Sequence, residues 1–152
     1  MADLVFNIAK GRVAELYNRV DVGDPAAARL YIIPVDVAAV TDANLRDADD
    51  FAAIITLGVT ERSATGWNRK TLDGTVLAAL AVDDTNDRMP LDLADQTWTA
   101  VSAGTVTDLV ICYASVGSPT NAQLLPLTLH DFAITPDGSD VVATIADFYR
   151  AS

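Results

Sequence analysis

The chain has 152 residues, 21 acidic side chains against ten basic ones and a net charge of −11, with a pI near 4.1 and a mean hydropathy of +0.26. That length suits a single domain, and 51% apolar residues is too many for a disordered chain, yet no run reaches the roughly 18–20 apolar residues that cross a bilayer. Ten cations scattered singly through an acidic chain leave no footprint for a phosphate backbone, so the expectation is no nucleic acid and no membrane as partner.

All but two of the acids are Asp, the exceptions being Glu15 and Glu61. Asp favours turns and helix caps where Glu favours helix interiors, so the bias predicts a turn-rich, β-rich fold. The start, MADLVFN, has no basic region followed by an apolar one, and no secretory signal is expected there.

Residues 1–9 carry Leu4, Val5, Phe6 and Ile8 with no helix start. They predict an extended N-terminal arm, separate from a single β-rich domain over 10–152, whose apolar side chains need a docking surface such as another subunit. Leu4, Phe6 and Ile8 are therefore the candidate partner contacts. Residues 11–20 place Val13, Leu16, Tyr17 and Val20 at helical spacing, but their β-branched and aromatic content also allows a strand, and the strand is preferred. After a break at 21–25 (DVGDP), residues 30–37 (LYIIPVDV) form a strand that Pro34 should push to a sheet edge or to its own end.

One short α-helix is expected over 49–57, with Asp47 or Asp49 as N-cap, Phe51, Ile54 and Ile55 on one face, and Gly58 just past its end. A polar loop then leads to a strand near 67–72, Asp73-Gly74 marks a turn, and residues 76–82 (VLAALAV) fit either a strand or a helical turn. Residues 83–88 (DDTNDR) form an acidic loop, with short strands at 89–93 and 97–101 beyond it.

The strongest strand signal is 105–115 (TVTDLVICYAS), apolar at both parities from Leu109 to Tyr113, the mark of a central strand buried on both faces. In 124–134 (LLPLTLHDFAI), Leu125, Leu127 and Leu129 share one parity and Phe132 and Ile134 the other, which predicts a bulge or strand corner near His130-Asp131. The segment TPDGS (135–139) should turn the chain into a hairpin whose return strand holds Val141, Ala143 and Ile145, closed by Phe148 and Tyr149. Short strands separated by turns in this way predict a mainly β fold, an antiparallel β-sandwich or barrel with one short α-helix.

Candidate chemistry is sparse. His130, the only histidine, has Asp131 beside it and Ser139 downstream, but neighbours on a strand point to opposite faces, and no Gly-x-Ser-x-Gly elbow is present. A structural histidine at a bulge is the better reading. Asp83, Asp84 and Asp87 lack calcium-loop spacing and read as solvated turn residues, and Asp47, Asp49 and Asp50 read as a helix start. Cys112, the only cysteine, lies within the apolar strand and reads as a buried structural thiol. Trp67 and Trp98 could stack a sugar only if exposed on one face, and are more economically core or interface anchors. The sequence thus predicts no enzyme, no cofactor and no metal.

The segments AKGRVAELYNRV (9–20), WNRKT (67–71), DDTNDR with DLADQTWTA (83–88 and 92–100) and LLPLTLHDFAITPDGSDVVATIADFYRAS (124–152) together resemble small virion structural proteins of tailed bacteriophages, the head-decoration or minor capsid proteins. The resemblance spans nearly the whole chain and is most specific in its C-terminal block. It implies a capsid decoration protein on the outer capsid surface, bound to the major capsid protein as a homo-oligomer, with a trimer favoured. A tail or head–tail adaptor and a carbohydrate-binding module are the alternatives.

Overall fold

In the computed structural model, which describes residues 2–37 and 40–151, the chain runs β1 (Leu4–Val5), α1 (Val13–Asp21), β2 (Arg29–Asp36), α2 (Asp42–Arg46), α3 (Phe51–Thr56), β3 (Thr60–Glu61), β4 (Lys70–Leu72), β5 (Met89–Leu91), β6 (Gln96–Trp98), β7 (Val106–Ala114), β8 (Leu125–Ile134), β9 (Val141–Ala143) and β10 (Tyr149–Ala151). Among the described residues the main sheet is antiparallel in the order β1-β8-β7-β2, with β3 and β4 both on the outer side of β2. Strand β7 is central, as its double-parity apolar run requires, pairing β2 from Arg29↔Ala114 to Val35↔Asp108 and β8 from Tyr113↔Leu125 to Val106↔Ile134.

Alternation along β2 and β7 sends Leu30, Ile32, Leu109 and Ile111 to one face and Tyr31, Ile33, Val110 and Cys112 to the other. The first face is covered by α1 and by two antiparallel ribbons, β5–β10 and β6–β9. Leu45 of α2 and Phe51 and Ile54 of α3 cover the second. The fold is mainly β and antiparallel, and because the strand order is open, the ribbons stacked on the sheet make a sandwich and not a closed barrel.

The expected helix is α3, ending before Gly58 in the left-handed conformation. Its cap is Asp50, one residue beyond the expected Asp49, with Oδ1 accepting from the Ala53 N–H at 2.7 Å. Residues 11–20 correct the strand preference: Val13–Asp21 is helical, with Val13, Leu16, Tyr17 and Val20 buried as one stripe at i, i+3, i+4 and i+7. Four such burials contribute about 1.5–3 kcal/mol each, which overrides the mild helix penalty of Val and Tyr. The helix stops in a six-residue return turn, Asp24 N to Arg19 O at 2.8 Å and Gly23 N to Val20 O at 3.2 Å. Helix α2, capped by Thr41, was not anticipated.

Pro34 lies in an inner strand, not at an edge. Its carbonyl accepts from Arg62 N, so the donor it lacks faces the same side, at the gap where β4 gives way to β3. Strand β8 does contain irregularities, one between Asp131 and Ile134 and another opposite Ile111–Cys112. The second displaces the expected phase slip: Leu125 and Leu127 join the ribbon-side core, as do Phe132 and Ile134, and Leu129 goes to the helix side.

The C-terminal hairpin is also corrected. The 135–139 turn forms, with Asp137 accepting from Ser139 and Gly138 at φ 98°, but Gly138 N bonds Val101 O and Val101 N bonds Ser139 O. The chain is thereby led away from β8, so β9 pairs β6 and β10 pairs β5. Residues 76–82 are neither strand nor helix.

The N-terminal arm is part of the domain. Leu4 pairs Leu129, Phe6 N bonds Leu127 O, and Leu4 and Phe6 are 4% and 0% exposed. Their docking surface is the chain's own β8 and the helix-side core, so Leu4 and Phe6 are not free for a partner, and the half-buried Ile8 packs against both cores. The outer limits of the expected division, residues 1 and 152, and residues 38–39 lie outside the described residues.

Candidate functional site

Trp67 and Trp98 meet edge to face at 5.3 Å between ring centres. Both are buried, at 2% and 0% exposure, and each indole N–H donates to a carbonyl, Trp67 to Gly104 at 2.7 Å and Trp98 to Asn68 at 2.8 Å. Neither ring can stack a sugar. Cys112 is buried in the helix-side core, where desolvation pushes its thiol well above the ordinary range and removes it as a nucleophile. In the acidic loop the Asp83 carboxylate already accepts from Asn86 and Arg88, and no cluster of metal-ligating side chains occurs among the described residues.

What remains is the surface around His130, at the sheet edge where β1 meets β8. The Asp3 carboxylate accepts from the Asp131 backbone N–H at 2.9 Å and lies 3.5 Å from His130 Nδ1, while His130 Nε2 is 2.9 Å from Thr128 Oγ1. Carboxylate, imidazole and hydroxyl are in relay order, but Thr128 is 1% exposed, so an incoming carbonyl cannot reach its oxygen. The carboxylate beside the imidazole is Asp3, and the Ser139 hydroxyl donates to Asp137 at 2.6 Å. The arrangement is a clasp holding β1 against β8. Burial lowers the His130 pKa, opposed by the Asp3 charge.

Phe148 stands over this clasp, edge to face with His130 at 6.4 Å and stacked on Tyr17 at 6.0 Å. It divides the surface into two hollows that share Asp3, His130, Asp147 and Phe148 as walls. The narrower, of about 250 Å³, runs under Thr144 and Ile145 toward Ile32 and Ile111. The wider is an open cleft of about 560 Å³ with Leu4, Val5 and Phe148 among its lining residues and Lys10, Arg46 and Arg150 bringing cationic side chains.

Cations are scarce in this molecule and almost all are used. Arg12 and Arg19 lie on Glu15, Arg62 on Asp36, Arg69 on Glu61, Arg88 on Asp83 and Arg150 on Asp147. Arg29 donates to the Ala26 and Ala28 carbonyls, and Lys70 donates to Thr97 O while covering Trp98. Among the described residues only the side chains of Lys10 and Arg46 have no such partner, and both line the wide cleft. Nothing in the sequence announced this, because one cation follows the 3-10 turn at Asn7–Ala9 and the other ends α2, and only the pairing of β1 with β8 brings them to one opening.

Comparison of the chain with protein-family models, with curated proteins and with solved structures finds no match in any of the three.

Proposed function

We propose that this chain is a structural protein of a tailed-phage virion, a decoration or minor capsid protein that binds the outer surface of the major capsid shell and stabilises it. The reading follows the resemblance expected from the sequence, most specific over residues 124–152. Three features of the molecule support it. The large aromatics face inward, which removes the rings a carbohydrate-binding module would use. The hydroxyl nearest the lone histidine is sealed from substrate. A charge of −11 suits a surface that must avoid packaged DNA and other particles.

Assembly as a closed homo-oligomer, a trimer on local threefold positions, would let several weak contacts act together through effective concentration. Because Leu4 and Phe6 are buried within their own chain, those contacts would come from other, exposed side chains. The test is to purify the particle and separate heads from tails. Recovery of the chain with heads, in stoichiometric ratio to the shell protein, is the expected result; recovery with tails alone would replace this reading with a tail or head–tail adaptor.

A further inference from the structure

We propose that the open cleft between β1, the end of α2 and the C-terminal segment is a docking site for an acidic, extended peptide segment of another protein, held by Lys10 and Arg46. The inference goes beyond the virion reading and stands without it, since it concerns the chemistry of the partner and not the particle.

The argument starts from the distribution of charge. Acids outnumber bases 21 to ten, so an unpaired cation should readily find a carboxylate, and eight of the ten cationic side chains do find a carboxylate, carbonyl or ring. The two that do not converge on one cleft. The carboxylates already in that cleft are occupied: Asp3 by the Asp131 backbone N–H and His130, and Asp147 by Arg150 at 2.9 Å. Lys10 and Arg46 thus present donors with no bonded partner in a cleft they share with Asp3 and Asp147, and a partner carboxylate supplies what is missing.

The rest of the cleft selects among anions. The half-buried Val5 gives it an apolar component, with Leu4 and Phe148 buried behind it, and this favours a ligand alternating acidic with apolar side chains over a bare phosphate. The field of the whole acidic molecule opposes every anion, and two free cations offset it least for a polyphosphate or nucleic acid, whose charge is continuous, and best for a peptide whose acids are spaced by apolar side chains. A volume of about 560 Å³ suits a few side chains of an extended segment.

The probe is a fluorescein-labelled eight-residue peptide containing four Glu and two Leu, with its Lys-for-Glu counterpart as control, followed by anisotropy on the full chain. The acidic peptide should bind, weaken with added salt, and weaken by about tenfold or more against the K10E/R46E double variant, while Arg19→Glu leaves binding unchanged. If the double variant misfolds by circular dichroism, the single changes K10Q and R46Q carry the test, each expected to weaken binding by about threefold. The proposal is overturned if both peptides bind alike, if Arg19→Glu weakens binding as much as K10E/R46E, or if inorganic phosphate displaces the peptide at equal concentration. Loss of self-association in K10E/R46E by sedimentation would likewise overturn it, because the occupant would then be a second copy.

Discussion

The two faces of the central sheet are covered by different means. The helix side is closed by neighbours in sequence: α2 and α3 lie within residues 42–56, and each starts on a side-chain cap, Thr41 or Asp50. The ribbon side is assembled from α1, the Trp67 segment, β5, β6, β9 and β10, whose pairings join residues some fifty apart, such as Trp98↔Val141 and Leu91↔Tyr149. The helices of one face are therefore set by local preference, though Leu4, Phe6 and Leu124 complete that core from afar, and the cover of the other forms only once distant segments pair, which puts its loop-closure cost ahead of any gain. The cleft holding Lys10 and Arg46 opens at the sheet edge, bounded by Leu4 of the helix-side core and Phe148 of the ribbon-side core.

The harshest way to break this asymmetry is to end the chain after Ile134. That removes β9 and β10, strips β5 and β6 of their partners, and deletes Val141, Ala143 and Phe148 from the ribbon-side core. Burials of about 1.5–3 kcal/mol for Val141 and for Phe148 are a large part of a total of ~5–15 kcal/mol. The truncated chain should aggregate; a soluble, cooperatively melting product would mean that the helix side alone can hold the sheet.

A finer comparison sets Trp98→Ala against Phe51→Ala. Both residues are fully buried, one on each face, and each change should cost about 3–5 kcal/mol in urea unfolding. Trp98 should lie at the upper end, since its loss also leaves the Asn68 carbonyl without its donor and removes the ring beneath Lys70. A single transition in both variants is expected. Two transitions in either one would show that the faces unfold separately.

The same asymmetry explains what could be read in advance. Strands β7 and β8, the position of α3 and the turns at Asp73 and Asp137 follow from patterns a few residues long, and the structure has them. The inverted phase of Leu129 comes from a bulge opposite Cys112, which the spacing of the leucines does not encode. Pairing β9 with β6 in place of β8 depends on two backbone bonds between Val101 and the 138–139 turn, and no local pattern specifies that partner. The apolar N-terminus calls for burial, but sequence carries no mark distinguishing a chain's own strand from a neighbour's. The turn at Gly74 shows the limit again: a Cβ there would lie 2.5 Å from Asp21 O and 2.6 Å from Val20 O, so glycine is demanded by α1 and not by the turn alone.

Arg69 links the Trp67 segment to the opposite face. Its guanidinium makes two bonds to Glu61, at 2.6 and 2.7 Å, a third to Asn121 Oδ1 at 2.7 Å, and lies 5.3 Å from the centre of the Phe51 ring. Arg69→Ala should cost about 2–3 kcal/mol, because it leaves a mostly buried carboxylate unpaired as well as removing packing. Arg69→Lys should recover only part of this, since an ammonium cannot reproduce the forked pair. Full recovery by Lys in thermal melts would reduce the interaction to simple charge.

The smallest expected effect concerns His130, where the N-terminal and C-terminal segments meet. Two influences oppose each other there: burial disfavours the imidazolium, and the Asp3 carboxylate at 3.5 Å favours it. Burial wins because the Asp3 side chain is 66% exposed and water screens its charge. The folded pKa is then below that of the unfolded chain, near 6.5, so the stabilisation is complete above that pH. It is lost as pH falls through about 6.5 toward the folded value, where the unfolded chain takes up a proton that the folded one resists. The turn carboxylates Asp73, Asp83 and Asp137, all lowered by hydrogen bonds, act at more acid pH. Burial raises the Asp108 carboxyl, whose contribution is lost as pH rises and so opposes that of His130, which makes the difference between the native chain and a His130 variant the informative quantity. Between pH 5 and 7 the unfolding free energy of the native chain should rise with pH relative to that of His130→Gln, since the Asp108 contribution is common to both. A difference of opposite sign between the two chains would show that the Asp3 charge prevails, and that the clasp between β1 and β8 tightens on acidification.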